Sequence, residues 1–360
     1  MSEEIINTNE AAAVEAESAP SRVPEFKSVC FRLGLMMTGV FVFRGIASIL
    51  LSLIIPKLEP LGATGSYVVQ TIISLIFLYL LPMGLAIWLM KEPTKETRAR
   101  IYSKPVYFGD AMGLFPAFYG ISILTNLLTI LISNLFSDTD LNKSFNTVNE
   151  LKADNMACAV ILFVQLAVIA PLFEEFWFRG IVMESLRPFG NGFAIFVSAL
   201  LFGMTHANFQ QFFYATALGI CLGYIAQATK SIITTTVMHA IFNSISGILL
   251  MFMSTDEVGD YLLSSVSGRE VEKSPIVTVY TVYLVCIVLL MIVGVVMFLF
   301  KLRKIKRYRV PKVWGELSTG KRWGVFISRV SVIVMLLLAA DTFTLRIIPK
   351  AIVRLLGGAA

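Results

Sequence analysis

Apolar residues along this chain fall into long runs separated by short polar breaks. The runs are about 18 to 25 residues long, the length of a helix that crosses roughly 30 Å of hydrocarbon. The pattern predicts an all-α fold, a polytopic membrane helix bundle of about eight or nine transmembrane helices around a buried cavity. The predicted spans are 29–56, 67–90, 107–136, 157–187, 191–206, 210–228, 231–252, 276–300 and 325–345.

Two end segments differ from these spans. Residues 1–26 are acidic and Ala/Ser-rich without apolar periodicity, which predicts a disordered N-terminal tail and excludes a signal peptide. The segment 325–345 contains Arg329 and Asp341, so it can either span the membrane or lie in its interface. The composition agrees with a membrane protein, since 56% of residues are hydrophobic, 15% are charged and the mean hydropathy is +0.77.

Basic residues predict the orientation of the bundle. The segments 91–104 and 301–322 are rich in Lys and Arg and should face the cytoplasm. By alternation the N-terminus is also cytoplasmic, while 137–155 and 253–275 lie outside. The net charge of +6 matches what anionic lipids attract and requires no nucleic acid. We therefore expect a multi-pass protein, most simply in the cell membrane.

A few ionisable side chains interrupt the apolar runs, where each charge costs about 2.5 kcal/mol or more. They are Arg44, Glu174, Glu175, Arg179, His206, His239 and Arg329. The chain has only two histidines, and both belong to this group. Arg44 and Arg329 have no evident partner in the sequence, and we interpret them as snorkelling or packing residues.

Helix geometry predicts that four of the polar residues meet. A turn at 187–191 separates two spans, and Glu174 lies about 20 Å before it and His206 about 22 Å after it, at 1.5 Å per residue. His239 and Asn243 lie about 13 to 20 Å from the same side on a third helix. We therefore expect these side chains to converge near the middle of the bilayer or in its cytoplasmic half.

Spacing within the helices predicts how the charges divide. Glu175 and Arg179 are four residues apart and can neutralise each other, either as part of a site or as a packing device. Glu174 points about 100° away and is left to face the interior. His239 and Asn243 share a helix face, although Asn243 can equally be a plain contact between helices.

These residues form three motifs in order. Glu174 to Arg179 match EExxxR, Phe202 to His206 match FxxxH, and His239 to Asn243 match HxxxN. Together they resemble the CPBP family of intramembrane proteases, also called the CAAX protease and bacteriocin-processing or Abi family. The resemblance covers 157–250 as a catalytic core, with N-terminal transmembrane helices at 27–156 and a C-terminal region at 251–360.

The resemblance implies a role for each matching residue. Glu174 would be the general base that activates water, and His206 would help to position or deprotonate that water. His239 and Asn243 would donate hydrogen bonds to the oxyanion. Glu175 and Arg179 would support the helix geometry or orient Glu174. The implied activity is cleavage of a peptide bond in a membrane-associated protein or peptide, within a catalytic cavity.

Whether this site binds a metal ion is a separate question. Glu174, His206 and His239 have the composition of a zinc site with two histidines and one glutamate. The family has been labelled a metalloprotease for that reason, but it is also described as using a glutamate-activated water. Because the sequence has no HExxH motif, we favour the metal-free mechanism.

Two other classes of function fit the same residues. A proton-coupled transporter could use the intramembrane Glu and His side chains as a relay, but the paired broken helices of two repeated halves are not evident. A catalytically inactive membrane scaffold or immunity protein would need no intact motifs.

Overall fold

The structure is a computed structural model that describes residues 21–91, 95, 98–99, 103–134, 153–267, 274–305 and 315–344. Over these ranges the fold is all-helical and contains no strand. Seven helices in the described ranges are long and apolar enough to cross a membrane, so the chain is an integral membrane protein. They are α1 (Val23–Lys57), α2 (Glu59–Leu89), α3 (Phe108–Ile132), α4 (Met156–Phe189), α6 (Phe209–Thr229), α7 (Ile232–Met253) and α9 (Pro275–Phe300). The remaining helices used below are α5 (Asn191–Met204), α8 (Asp256–Ser267), α10 (Thr319–Ile327) and α11 (Val330–Thr344).

The predicted span 191–206 is a short helix. Helix α5 has 14 residues, or about 21 Å, which is less than the roughly 30 Å of a hydrocarbon core. It stops because Ala207 adopts a left-handed backbone with φ 59° and Asn208 caps the next helix by accepting from the Gln211 amide at 2.7 Å. His206 therefore lies in a turn and not on a helix.

The last predicted span, 325–345, is a pair of helices. Helices α10 and α11 meet at an angle of 74°, and counting the pair as one span gives up to eight. Helix α11 packs against α1, where the Ser331 hydroxyl donates to the Phe31 carbonyl at 2.7 Å. Arg329 lies in the break and its Nε donates to the Val325 carbonyl at 3.2 Å, so it completes the end of α10.

The first helix begins earlier than the pattern predicts. Helix α1 starts at Val23, whereas the disordered tail was expected to extend to 26. Pro24 suits the first turn of a helix, and the fully buried Phe26 packs its ring 5.0 Å from that of Phe189. Residues 1–20 of the tail lie outside the described residues. So do most of the loops 91–104 and 137–155, part of 301–322, and the C-terminal residues from 345 onward.

Hydrogen bonds between helix ends define two faces of the bundle. On one face, the Ser21 hydroxyl donates to Glu316 at 2.7 Å, and the guanidinium of Arg22 lies over the Phe189 ring. On the other face, the Asn155 amide donates to the Thr64 hydroxyl at 3.1 Å. This arrangement is consistent with the predicted alternation of the helices. Which face is cytoplasmic stays a prediction.

Close packing of α5 against α6 depends on glycine. A Cβ at Gly203 would lie 2.7 Å from the Phe212 carbonyl oxygen and would collide with the Thr216 hydroxyl. Small residues of this kind let helix backbones approach closely in membranes. The contact holds the end of α5, and hence His206, against the start of α6.

We predict that Gly203→Ala destabilises the protein because the added methyl group has no space. Overpacking of this kind costs about 1–3 kcal/mol. Gly192→Ala in the same helix is the matched control, since a Cβ there meets nothing within 4 Å. Thermal unfolding in detergent should show a lower Tm for Gly203→Ala alone, and equal Tm values for the two variants would contradict the predicted contact.

Candidate active site

Glu175 joins two helices through one oxygen atom. Its Oε1 forms an ion pair with Arg179 Nη1 at 2.9 Å within α4 and accepts a hydrogen bond from His239 Nδ1 at 2.9 Å on α7. The side chains of Glu175 and Arg179 are fully buried. Because a buried charge is costly unless it is paired and hydrogen-bonded, this interaction fixes α7 against α4.

Helix α4 is irregular where it carries these residues. It contains π-helical segments at Gln165–Ile169 and Glu175–Val182. In the first segment the Ala170 amide bonds the Gln165 carbonyl, five residues back. The next bond in that pattern would join residue 171 to Leu166, but Pro171 has no N–H group. Asn243 of α7 fills the gap, with its Nδ2 donating to the Leu166 carbonyl at 2.8 Å.

The second π-helical segment is tied to α5. The Phe178 carbonyl accepts from the Met183 amide and also from the Ser198 hydroxyl at 2.7 Å. Wider turns of this kind are frequent at functional sites. Side chains of α5 and α7 thus hold the irregular turns on both sides of Glu174.

His206 is oriented by the helix that it follows. Its Nδ1 lies 3.1 Å from the Phe202 carbonyl oxygen. A carbonyl can only accept, so Nδ1 carries the proton and Nε2 of the neutral ring is an acceptor. The residue is half-buried.

The Phe202 ring lies between Arg179 and the two histidines. Its place in the FxxxH motif does not predict this position. Its ring is 4.6 Å from the Arg179 guanidinium carbon, in cation–π geometry. The His206 and His239 rings stand edge-on to it at centroid distances of 5.1 and 5.6 Å. One aromatic side chain therefore contacts both histidines and the arginine.

Glu174 stands apart from the ion pair, as its helix position predicts. Its side chain is 18% exposed, and its Oε2 lies 3.7 Å from His239 Nε2. This distance is too long for a hydrogen bond. The structure thus brings Glu174 beside His239, and it brings both histidines together on Phe202.

Three residues near Glu174 were not predicted. Tyr79, Tyr214 and Arg44 lie close enough for electrostatic interaction with its carboxylate. Tyr79 also packs its ring 5.5 Å from that of Phe173, the residue before Glu174. Tyr79 and Arg44 lie outside the three motifs on other helices, and although Arg44 interrupts an apolar run, nothing in the sequence connects either residue with Glu174. Only the folded arrangement identifies them.

Glu174, His206 and His239 are the residues that a zinc-dependent mechanism would use. Among the described residues, no group of three or more His, Cys, Asp or Glu side chains is arranged to hold a metal ion. Both histidines engage Nδ1 within the protein, His239 on Glu175 and His206 on the Phe202 carbonyl, an arrangement that metal-binding histidines also use. No step below depends on a metal.

Comparisons with known proteins agree with the motifs. Residues 156–245 match the family model described as "Type II CAAX prenyl endopeptidase Rce1-like". The chain is also 26% identical over 110 residues to "Putative membrane peptidase YdiL" of Bacillus subtilis (strain 168), an alignment that covers 30% of this chain and 43% of that protein. No solved structure matches. The predicted family resemblance is thus confirmed over the segment that carries the three motifs.

We predict that Arg179→Met lowers the free energy of unfolding by about 3–5 kcal/mol, since it leaves the buried Glu175 carboxylate without its cation. Glu25→Gln is the control, because Glu25 and its partner Arg22 are both exposed, at 51% and 42% of their side chains. Loss of that pair should cost about 1 kcal/mol or less. Denaturant unfolding in micelles measures both, and similar losses would argue against a structural role for the buried pair.

Proposed function

We propose that this chain, whose residues 156–245 match the Rce1-like family model, is an intramembrane endopeptidase that cleaves a membrane-associated protein or peptide with an activated water molecule. The observation that carries the proposal is the pairing of Glu174 with His239. A partly exposed carboxylate lies 3.7 Å from an imidazole whose other nitrogen is fixed by a buried glutamate. If Glu174 had only a packing role, a neighbouring imidazole held in place by Glu175 would not be needed.

Glu174 serves as the general base in this mechanism. Arg179 is engaged by Glu175, so the carboxylate of Glu174 is available to take a proton from water. The Nε2 of His206 accepts a hydrogen bond from the same water and orients it. The water oxygen then attacks the carbonyl carbon, and the proton on Glu174 passes to the leaving amine as the C–N bond breaks.

His239 and Asn243 stabilise the oxyanion in this scheme. The Nε2 of His239 faces the side of Glu174, where the carbonyl would bind. The Asn243 amide uses one N–H on Leu166, and an amide nitrogen carries a second donor for the substrate oxygen. A proton on both nitrogens of His239 would also balance the charges of Glu174, Glu175 and Arg179. Donors of this kind contribute about 10²–10³-fold to rate.

Glu175 and Arg179 act as positioning residues. Glu175 orients His239 through Nδ1, and Arg179 neutralises Glu175 while it packs on Phe202. We propose no resident cofactor and no zinc. The expected substrate lies in the lipid bilayer, and nucleic acid has no part in the mechanism. A cell-membrane location with a cytoplasmic N-terminus completes the proposal.

Glu174→Gln should lower the rate of cleavage of a membrane-anchored peptide library by about 10²–10⁴-fold, because an amide cannot act as a general base. Glu257→Gln is the matched control, since Glu257 is exposed on α8. Cleavage by purified protein in micelles, followed by mass spectrometry of the products, gives the rate and the cut position. A Glu174→Gln enzyme with wild-type rates would refute the role of Glu174.

The same assay separates the competing mechanisms. Loss of cleavage with a chelator and its return with zinc would overturn the metal-free mechanism. Absence of any cleavage, together with uptake into vesicles driven by a pH gradient, would replace the endopeptidase by a proton-coupled transporter. Absence of both would favour the inactive scaffold.

We further expect His206→Asn to reduce kcat more than His206→Gln. The Asn amide reaches the position of Nδ1 and can replace only the bond to Phe202, whereas the longer Gln side chain places an acceptor near Nε2. Steady-state kinetics with a peptide identified in the library would measure the difference. Equal kcat values for the two variants would exclude a role for Nε2 in holding the water.

A further inference from the structure

Three consecutive threonines, Thr234 to Thr236, precede His239 on α7. None of them belongs to the EExxxR, FxxxH or HxxxN motifs. Thr235 lies four residues before His239, so the two side chains share one face of the helix. The Thr235 side chain is fully buried. A hydroxyl group in such a position needs a hydrogen-bond partner, and the choice of partner bears on the candidate active site.

The Ile232 carbonyl has more donors than it needs. The Thr235 hydroxyl donates to it at 2.9 Å and the Thr236 hydroxyl at 2.8 Å. In an α-helix this carbonyl also accepts from the backbone amide four residues further on. A carbonyl oxygen has only two lone pairs, so three donors compete for them. The bond from Thr235 can therefore be given up while Ile232 stays fully bonded.

The Glu175 carboxylate has the opposite imbalance. The ion pair with Arg179 and the hydrogen bond from His239 both involve Oε1. The other oxygen, Oε2, is buried and accepts no hydrogen bond from the part of the chain that the structure describes. A buried carboxylate oxygen without a donor is unfavourable. Thr235 lies close enough to this carboxylate to donate a hydrogen bond to it.

We propose that Thr235 is a positioning residue of the candidate active site, whose hydroxyl turns from the Ile232 carbonyl to the Glu175 carboxylate and so adjusts the hydrogen bond that holds His239. This inference rests on the proposed endopeptidase function. The change requires only a rotation of the hydroxyl group, which is free to turn toward the better acceptor. A charged oxygen without a donor is a better acceptor than a carbonyl that already has two.

A second donor on Glu175 affects how His239 binds the substrate. A carboxylate that accepts from Thr235 attracts the Nδ1 proton of His239 less strongly, because neighbouring hydrogen bonds polarise one another. The imidazole ring is then less rich in electrons, and its Nε2–H group becomes a better donor to the oxyanion. Because the oxyanion exists only during the reaction, loss of this effect should lower kcat and leave KM unchanged.

The kinetic test removes the hydroxyl and keeps the shape of the side chain. Thr235→Val should lower kcat about tenfold, the effect of one hydrogen bond to a charged group. The KM for a peptide that the wild type cleaves should change less than twofold. Thr235→Ser restores the hydroxyl without the methyl group and should recover at least a third of the wild-type kcat.

Thr236→Val is the matched control, since it makes the same change one residue further on and removes a donor to the same carbonyl. It should keep kcat within twofold of the wild type. Equal kcat losses for Thr235→Val and Thr236→Val, or no recovery in Thr235→Ser, would overturn the proposal. If Thr235→Val cannot be purified, Thr235→Ala and Thr235→Ser are compared, because they lack the same methyl group and differ in the hydroxyl.

A second measurement requires no substrate. The chain has only two histidines, so NMR of protein with ¹⁵N-labelled histidine in micelles gives few ring signals. The His206→Asn variant leaves those of His239 alone. The Nδ1 proton signal should move downfield in Thr235→Val, because Glu175 then attracts this proton more strongly, and should not move in Thr236→Val.

An unmoved Nδ1 signal in Thr235→Val would show that the Thr235 hydroxyl does not act on Glu175, and the proposal would be wrong. If the signal moves but the wild type cleaves no peptide, the hydrogen bond is supported while the endopeptidase function has failed. The two failures are thus distinguishable.

Discussion

The buried carboxylate of Glu175 is the interaction on which the site depends. A single oxygen forms an ion pair with an arginine one turn away and accepts a hydrogen bond from an imidazole on another helix. In an apolar bundle such a charge cannot be left unpaired, so the position of α7 relative to α4 is restricted to arrangements that keep the bond to the imidazole. That restriction also aims the second nitrogen of His239 toward Glu174. The adjacent glutamates thus divide the work, with Glu175 fixing the imidazole and Glu174 left beside it.

The irregular turns of α4 are also bonded by polar side chains of neighbouring helices. Pro171 removes a backbone donor in a π-helical turn, and the carbonyl it leaves is bonded by Asn243. The donor that α4 lacks at Pro171 is therefore replaced by a specific contact with α7. The contacting residue, Asn243, lies four residues after His239. Ser198 makes the corresponding contact from α5. Polar side chains at these points specify how the helices align, which apolar packing between membrane helices does less selectively.

Much of this arrangement follows from the sequence, because run lengths set the helices and 1.5 Å per residue sets their relative depth. The nearness of Glu174 to His239 and the pairing of Glu175 with Arg179 were both expected. The bond from Glu175 to His239 was not, because the prediction used the angle per residue of a regular α-helix and the wider π-helical turn at Glu175–Val182 changes that angle. The central position of Phe202 and the nearness of Arg44 depend on contacts between distant segments. From the sequence, Arg44 is interpreted as a snorkelling or packing residue, because no motif or spacing connects it with the site.

The early end of α5 determines where His206 lies along the bundle. The turn at 205–208 satisfies its own polar backbone, since the His206 and Ala207 amides bond carbonyls three residues back and Asn208 donates to the His206 carbonyl. Within a membrane, irregular backbone is tolerated only when its polar groups form hydrogen bonds within the protein or with water in a cavity. The turn can therefore present the His206 imidazole while its own polar backbone groups stay bonded within the protein. If α5 ended a few residues earlier or later, the His206 imidazole would lie at a different position along the bundle.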